Sequence, residues 1–116
     1  VSSLIMGVEK ELITAAPAGA KMPAKGSKIT VHCTGFVADT GKKFWSTHDT
    51  NTPFSFQVGL GQVIKGWDEG MLTMALGERA KLHCSSDYAY GAGGFPAWGI
   101  PPSAALIFDV EVIRIE

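Results

Sequence analysis

Polar and apolar side chains alternate strictly from Ile29 through Thr30, Val31, His32, Cys33 and Thr34. Ile29, Val31 and Cys33 fall on one face of an extended chain, and Thr30, His32 and Thr34 on the other. That period of two predicts a half-buried strand. The same alternation recurs over residues 54–58 and 79–85, where Ala80, Leu82 and Cys84 point inward. Residues 8–13 read as a first strand and residues 43–46 as a short one. Residues 105–115 read as a long last strand whose apolar phase slips near Val112 and Ile113, as a bend or bulge would make it.

One stretch, residues 62–77, departs from the period of two. Val63, Trp67, Met71 and Met74 recur at spacings of four, four and three, which places them on one face of a helix. Asp68 and Glu69 lie near its start, where the helix dipole favours acids. As sequence neighbours they diverge around the helix and read as a solvated face. Gly66 and Gly70 are poor helix formers and predict a short element. Gly77 is placed to end it in the left-handed conformation. A short helix carrying a tryptophan cannot bury itself alone, so the strands are expected to curl over it, with Trp67 at the bottom of any pocket that results. Strands on both sides of one short helix predict an α+β fold built on an antiparallel sheet.

The connections fit this order. Residues 15–27 read as a solvated turn region, 38–41 as a turn, and 47–53 as a polar bulge or loop. Residues 87–102 form a long loop in which Tyr88, Tyr90, Phe95 and Trp98 sit among glycines and Pro96, Pro101 and Pro102. Aromatic residues on such a loop point toward the lining of a site held on a rigid scaffold.

Composition narrows the function classes. The 116 residues suit one domain with one core. A net charge of −1 with no basic stripe argues against nucleic acid or an anionic membrane surface as partner. No apolar run approaches the roughly 20 residues that cross a bilayer. Met6-Gly7 resembles a natural start, so residues 1–6 are expected to be a leader or flexible N-terminus, and 7–116 the domain. A cytoplasmic, monomeric protein is expected. The two cysteines are too few for a disulfide scaffold, and His32, His48 and His83 show no metal-site spacing, so no metal or cofactor is expected.

No nucleophile-base signature is visible. Cys33 lies mid-strand on the apolar face, where a thiol is inert. Gly91-Ala92-Gly93-Gly94 is followed by Phe-Pro rather than by a helix, so it is no phosphate loop. What remains is aromatic: Phe44, Phe54, Trp67, Tyr90, Phe95 and Phe108. Two readings stand, a plain aromatic core and an apolar binding pocket with a few polar contacts.

Seven motifs now fall in one order: Val31-His32-Cys33-Thr34-Gly35, Gly41-Lys42-Lys43-Phe44, Pro53-Phe54-Ser55-Phe56, the run from Gln62 through Trp67 to Gly70, Gly77-Glu78-Arg79-Ala80-Lys81-Leu82, Asp87-Tyr88-Ala89-Tyr90-Gly91-Ala92, and Ile100-Pro101-Pro102. From Gly7 to Glu116 the chain resembles the FKBP-type peptidyl-prolyl cis-trans isomerases, receptors for tacrolimus and rapamycin. Cys33, Phe44-Trp45-Ser46-Thr47 and Phe95-Pro96-Ala97-Trp98-Gly99 resemble plant-type single-domain members most.

The resemblance implies an antiparallel sheet of five or six strands curled around one short helix. It implies a catalytic set of Tyr90, Trp67, Phe44 and Ile64. Cys33, Trp45, Phe54, Val63, Phe95, Ile100 and Phe108 complete the surface that meets proline-containing peptides or macrolides. In it, the Ile64 N–H and the Tyr90 hydroxyl hold carbonyl oxygens. The family usually has Tyr at Cys33 and Asp at Trp45, and this chain carries an extra residue near Ala97 and Trp98. Loss of a hydrogen bond to a charged group costs ~1.5–3 kcal/mol, so macrolide affinity is expected to fall about ten- to a hundredfold while catalysis survives. A non-catalytic interaction module of the same fold is the alternative. Cys33 and Cys84 lie on strands that pair in the family, which makes them a candidate thiol pair.

Overall fold

A computed structural model describes residues 7–116, and the expected leader lies outside them. Six strands and two short helices follow one another: β1 (Val8–Thr14), β2 (Lys28–Val37), β3 (Lys43–Ser46), α1 (Thr47–Thr50), β4 (Phe54–Gln57), α2 (Lys65–Gly70), β5 (Arg79–Cys84) and β6 (Leu106–Ile115). The strands form one antiparallel sheet in the order β1-β5-β6-β2-β3, and β4 also pairs with β2. The α+β reading therefore holds. The alternating pattern chose the inner face: Ile29, Val31 and Cys33 of β2, Ala80, Leu82 and Cys84 of β5, and Phe108, Val110 and Val112 of β6 are all buried.

The phase slip near Val112 is a bulge. Thr30 faces Arg114 and Val31 faces Val112, which leaves Ile113 unopposed and 41% exposed. The extra residue bends β6 and brings Ile115 back to the buried face.

The helical stretch is shorter than its pattern. It is regular only over α2, tightens into a 3-10 turn at Met71–Thr73, and is extended by Met74. Gly77 is not the helix stop. Its left-handed φ of +91° belongs to the turn into β5, where its N–H donates to the Val112 carbonyl. Gly66 and Gly70 do more than shorten the helix. Both are buried on the face that meets the sheet, and a β-carbon at Gly70 would lie 3.0 Å from Leu82 and 3.3 Å from Val8. The helix can approach β5 this closely only where it carries no side chain.

The polar segment expected to be a bulge or loop opens instead with a single helical turn, α1. The Ser46 hydroxyl caps it by accepting from the His48 N–H at 3.2 Å, and Asn51 ends it with a left-handed φ of 54°. This turn stands between β3 and β4, which both pair along the same edge of β2. The Cys33 N–H lies in the gap between those two pairings and donates to the Thr47 hydroxyl at 3.0 Å. A buried polar side chain thus satisfies a backbone group that the sheet leaves over.

Candidate binding site: an aromatic cavity over the short helix

The curled sheet leaves a cavity of about 160 Å³ above α2. Trp67 is its floor, 2% exposed. Phe54 from β4 and Phe108 from β6 stand edge-on to the Trp67 ring at 5.8 and 5.3 Å, and Phe56 packs on it from behind at 5.4 Å. Edge-to-face contacts of this kind suit the positive edge and negative face of aromatic rings. Trp45 from β3 forms a wall, 6.0 Å from Trp67 and edge-on to Phe54 at 5.5 Å. Gln62, Val63, Ile64, Tyr90 and Trp98 complete the lining.

The rings converge for local reasons. Gly35 lies across from both Trp45 and Phe108. A β-carbon there would lie 2.5 Å from the Phe44 ring and 3.0 Å from Phe108. Glycine at this point of β2 lets the Phe44 ring fold over the strand and meet Phe108 edge-on at 5.8 Å. Asp68 holds the chain leading into the helix. Its two carboxylate oxygens accept from the Gly59 and Gly61 N–H groups, each at 2.9 Å. This corrects the reading of Asp68 as a purely solvated carboxylate. The acid reaches back from α2 and ties down the segment that carries Gln62, Val63 and Ile64.

Of the residues expected at the site, Trp45, Phe54, Val63, Ile64, Trp67, Tyr90 and Phe108 line the cavity. Four others stand behind it. Phe44 supports Phe108 and Trp98, and Phe95 stacks on Tyr90 at 5.3 Å. Ile100 is buried and bridges to Phe95, and Cys33 is buried in the sheet at 1% exposure. Gln62 and Trp98 line the cavity without having been singled out for it. Trp98 carried a signal, as an aromatic on the glycine-rich loop. Gln62 carried none beyond its place before Val63.

Two hydrogen-bond donors at the cavity are unspent. Among the described residues, neither the Ile64 N–H nor the Tyr90 hydroxyl has a protein partner. Partial burial pushes the Tyr90 phenol above its ordinary pKa, so it stays a neutral donor. The Trp67 Nε1–H is also buried without a partner, among the rings that surround it. Among the described residues, the lining contains no Asp, Glu, Lys, Arg or His.

The paired-thiol expectation fails. β2 and β5 are not neighbours, because β6 runs between them. Cys33 faces Val110 and Cys84 faces Leu106 on that strand. Two strand spacings already separate the Cα atoms by about 9.5 Å, before the offset along β6 is added. A disulfide requires roughly 7 Å or less. Both thiols are free, and burial pushes each up to about 12.

Comparison with known proteins agrees with this geometry. Residues 19–113 match the family model of the FKBP-type peptidyl-prolyl cis-trans isomerases. The chain belongs to that family. It is 58% identical over 114 residues to the peptidyl-prolyl cis-trans isomerase FKBP12 of Arabidopsis thaliana, covering 96% of this chain and all of that one. It is 50% identical to the Drosophila melanogaster Fkbp12 over 112 residues, again across 96% of this chain and the whole relative. The Xenopus laevis isomerase FKBP1A matches at 50% over 111 residues, with the same coverage. No described helix of this FKBP-type chain is long and apolar enough to cross a membrane.

Proposed function

We propose that this chain accelerates rotation about Xaa-Pro peptide bonds, with the proline seated on Trp67. The observation that carries this is an aromatic cavity whose described lining holds no Asp, Glu, Lys, Arg or His and whose rim keeps two hydrogen-bond donors unspent. The family membership and the names of its full-length relatives support the same activity.

The chemistry follows from the amide. Rotation about the C–N bond must overcome ~18–20 kcal/mol because resonance is lost at the twisted transition state. Uncatalysed exchange at proline takes tens to hundreds of seconds, roughly. The planar amide is the more dipolar form and is stabilised by water. Phe54, Phe108, Val63 and Trp67 withhold that solvation, which narrows the gap to the twisted form. The Ile64 N–H and the Tyr90 hydroxyl hold carbonyl oxygens on either side of the rotating bond. They contribute to catalysis only as far as they bind the twisted form better than the planar one. Each ~1.4 kcal/mol of that difference is about tenfold in rate. Phe44 acts from behind, by holding the Phe108 ring in place.

The cavity is also the site proposed for macrolides such as tacrolimus and rapamycin. Trp45 occupies the wall with an indole ring, and Cys33 is sealed in the sheet, so neither offers such a ligand a carboxylate or a phenol hydroxyl. Affinity for them is accordingly reduced. A monomer working in a reducing cytoplasm fits the two free, buried thiols.

The test is cis-trans exchange of a Leu-Pro peptide followed by NMR, with and without the protein and then with rapamycin. Acceleration that disappears in folded Trp67→Ala and Tyr90→Ala variants supports the reading. Acceleration that survives both substitutions, or none from the folded wild type, overturns it.

A further inference from the structure

The two unspent donors stand on separate segments of the chain. Ile64 caps the start of α2, whereas Tyr90 follows a 3-10 turn at Ser86–Tyr88. One bound peptide can meet both donors only if the two segments keep a fixed distance and a fixed angle. Two contacts join them, both beside the donors in the chain. The first is backbone to backbone. Gly66 passes so close to Tyr88 that a β-carbon on it would lie 3.2 Å from the Tyr88 carbonyl oxygen. A single contact of this kind sets a separation but leaves a pivot. The second is between side chains. The Lys65 ammonium lies over the face of the Tyr88 ring, 4.5 Å from its centroid.

Nothing within the helix accounts for that placement. A cation in the first turn meets the unfavourable, positive end of the helix dipole. Glu69 lies at the i+4 position, yet among the described residues Lys65 forms no ion pair with it or with any other carboxylate. The side chain reaches across to the other segment instead.

The ring it reaches is itself held. Tyr88 is half-buried, and Gly7 packs on it so that a β-carbon at Gly7 would lie 3.5 Å from the ring. The Gly7 N–H donates to the Ser85 hydroxyl and the Ser85 N–H to the Gly7 carbonyl, each at 2.8 Å. The Tyr88 N–H donates to the Ser85 carbonyl at 3.0 Å. Lys65 therefore docks on a ring anchored just beyond the end of β5.

We propose that Lys65 and Tyr88 are positioning residues for the isomerase. Their contact stops α2 from pivoting against the loop, and so holds the Ile64 N–H at the angle at which it and the Tyr90 hydroxyl serve one substrate. This rests on the isomerase reading above. Neither side chain lines the cavity, and each acts through the donor beside it in the chain. Donors held at the wrong angle lose their preference for the twisted form.

The test is a set of double-mutant cycles read on kcat/KM for exchange of a Leu-Pro peptide, with urea midpoints measured in parallel. Lys65→Met removes the charge and keeps an unbranched side chain, and Lys65→Arg keeps a cation. Tyr88→Leu removes the ring. Lys65→Met is expected to lower kcat/KM roughly two- to fivefold, as suits one exposed cation–π contact, and Lys65→Arg to restore most of it. In the Tyr88→Leu background, Lys65→Met should cost nothing further. In the Tyr90→Phe background its cost should shrink, because no second donor remains to be aligned. A merely structural contact would lower the urea midpoint and leave the effects of Lys65 and Tyr90 on rate independent. Independent effects, or a Lys65→Arg variant no better than Lys65→Met, overturn the proposal and leave the isomerase reading intact. If the folded wild type accelerates no peptide, the isomerase reading fails instead. The same cycles are then read on the Kd of the Leu-Pro peptide from NMR shifts. Coupling between Lys65 and Tyr90 upholds the pair, and independence or an absence of binding overturns it.

Discussion

A β-carbon at Gly66 would lie 2.5 Å from the Cys84 sulfur and 3.2 Å from the Tyr88 carbonyl oxygen. The cavity floor depends on this contact, because the next residue is Trp67. Gly66→Ala must push α2 off the sheet or force Cys84 aside. Overpacking of this kind is expected to destabilise the protein by about 1–3 kcal/mol, read as a lower urea midpoint. Adding Cys84→Ala should recover part of the loss, so a double-mutant cycle should show coupling. Additive effects would mean that the helix does not press on that sulfur.

Asp68 is expected to matter beyond its own helix. It receives two backbone N–H groups from the segment leading to Ile64. Asp68→Ala should cost about 1–3 kcal/mol of stability, because the Gly59 amide is partly buried and loses its acceptor. The variant should also raise KM for proline peptides more than it lowers kcat, since it loosens residues 60–64 and leaves the floor in place. A KM equal to that of the wild type would place the loop's order elsewhere.

Tyr90→Phe removes one hydroxyl and keeps the stacking on Phe95. The expected outcome is an unchanged fold and a fall in kcat/KM of roughly two- to tenfold, the ordinary worth of one neutral hydrogen bond. The pH profile follows from the same group. Burial disfavours the phenolate, so the pKa is raised and the donor is retained through the pH range in which a free tyrosine would begin to ionise. Exchange rates should stay level up to about pH 10, near the ordinary tyrosine value. A decline that titrates near neutrality would point to an ionisable group outside the lining.

Cys33 and Cys84 should behave as two inert thiols. Neither is expected to react with a disulfide reagent at pH 8 in the native state, and both should react on unfolding. The sign of the alkaline effect is fixed by the shift. Each thiol is pushed up to about 12 in the folded chain, so the fold holds the protonated form. Their contribution is complete below the unfolded thiol's pKa and is lost as pH rises from there through the folded value. Oxidation to an intramolecular disulfide without loss of structure would contradict the strand order.

The strands could be read from side-chain alternation because a strand with one buried face imposes a period of two. This held for β2, β5 and β6, and the bulge at Ile113 appeared as a slip in that period. The helix was legible from Trp67, Met71 and Met74, all of them buried. Its shortness was legible from Gly66 and Gly70, but its change to a 3-10 turn was not, since the same spacing is met by a 3-10 turn followed by one extended residue.

Some features were not legible from local pattern alone. The α1 turn has a local cap in Ser46, but it is also held by Thr47, whose hydroxyl reaches a distant strand. Asp68 looks solvated until the loop it binds is folded against it.

The sequence by itself determined the sheet-and-helix architecture, the inward face of each strand and the family, because these rest on periodicity and on ordered motifs. It also placed most of the cavity residues. Only the tertiary structure decided which aromatics line the cavity and which stand behind it. All four of Phe44, Phe95, Trp45 and Trp98 are aromatic, and what separates the lining pair from the supporting pair is where the sheet and the Phe95–Ile100 hairpin carry them. Only the tertiary structure set β6 between the two cysteines, because strand order depends on long-range pairing that no local pattern encodes.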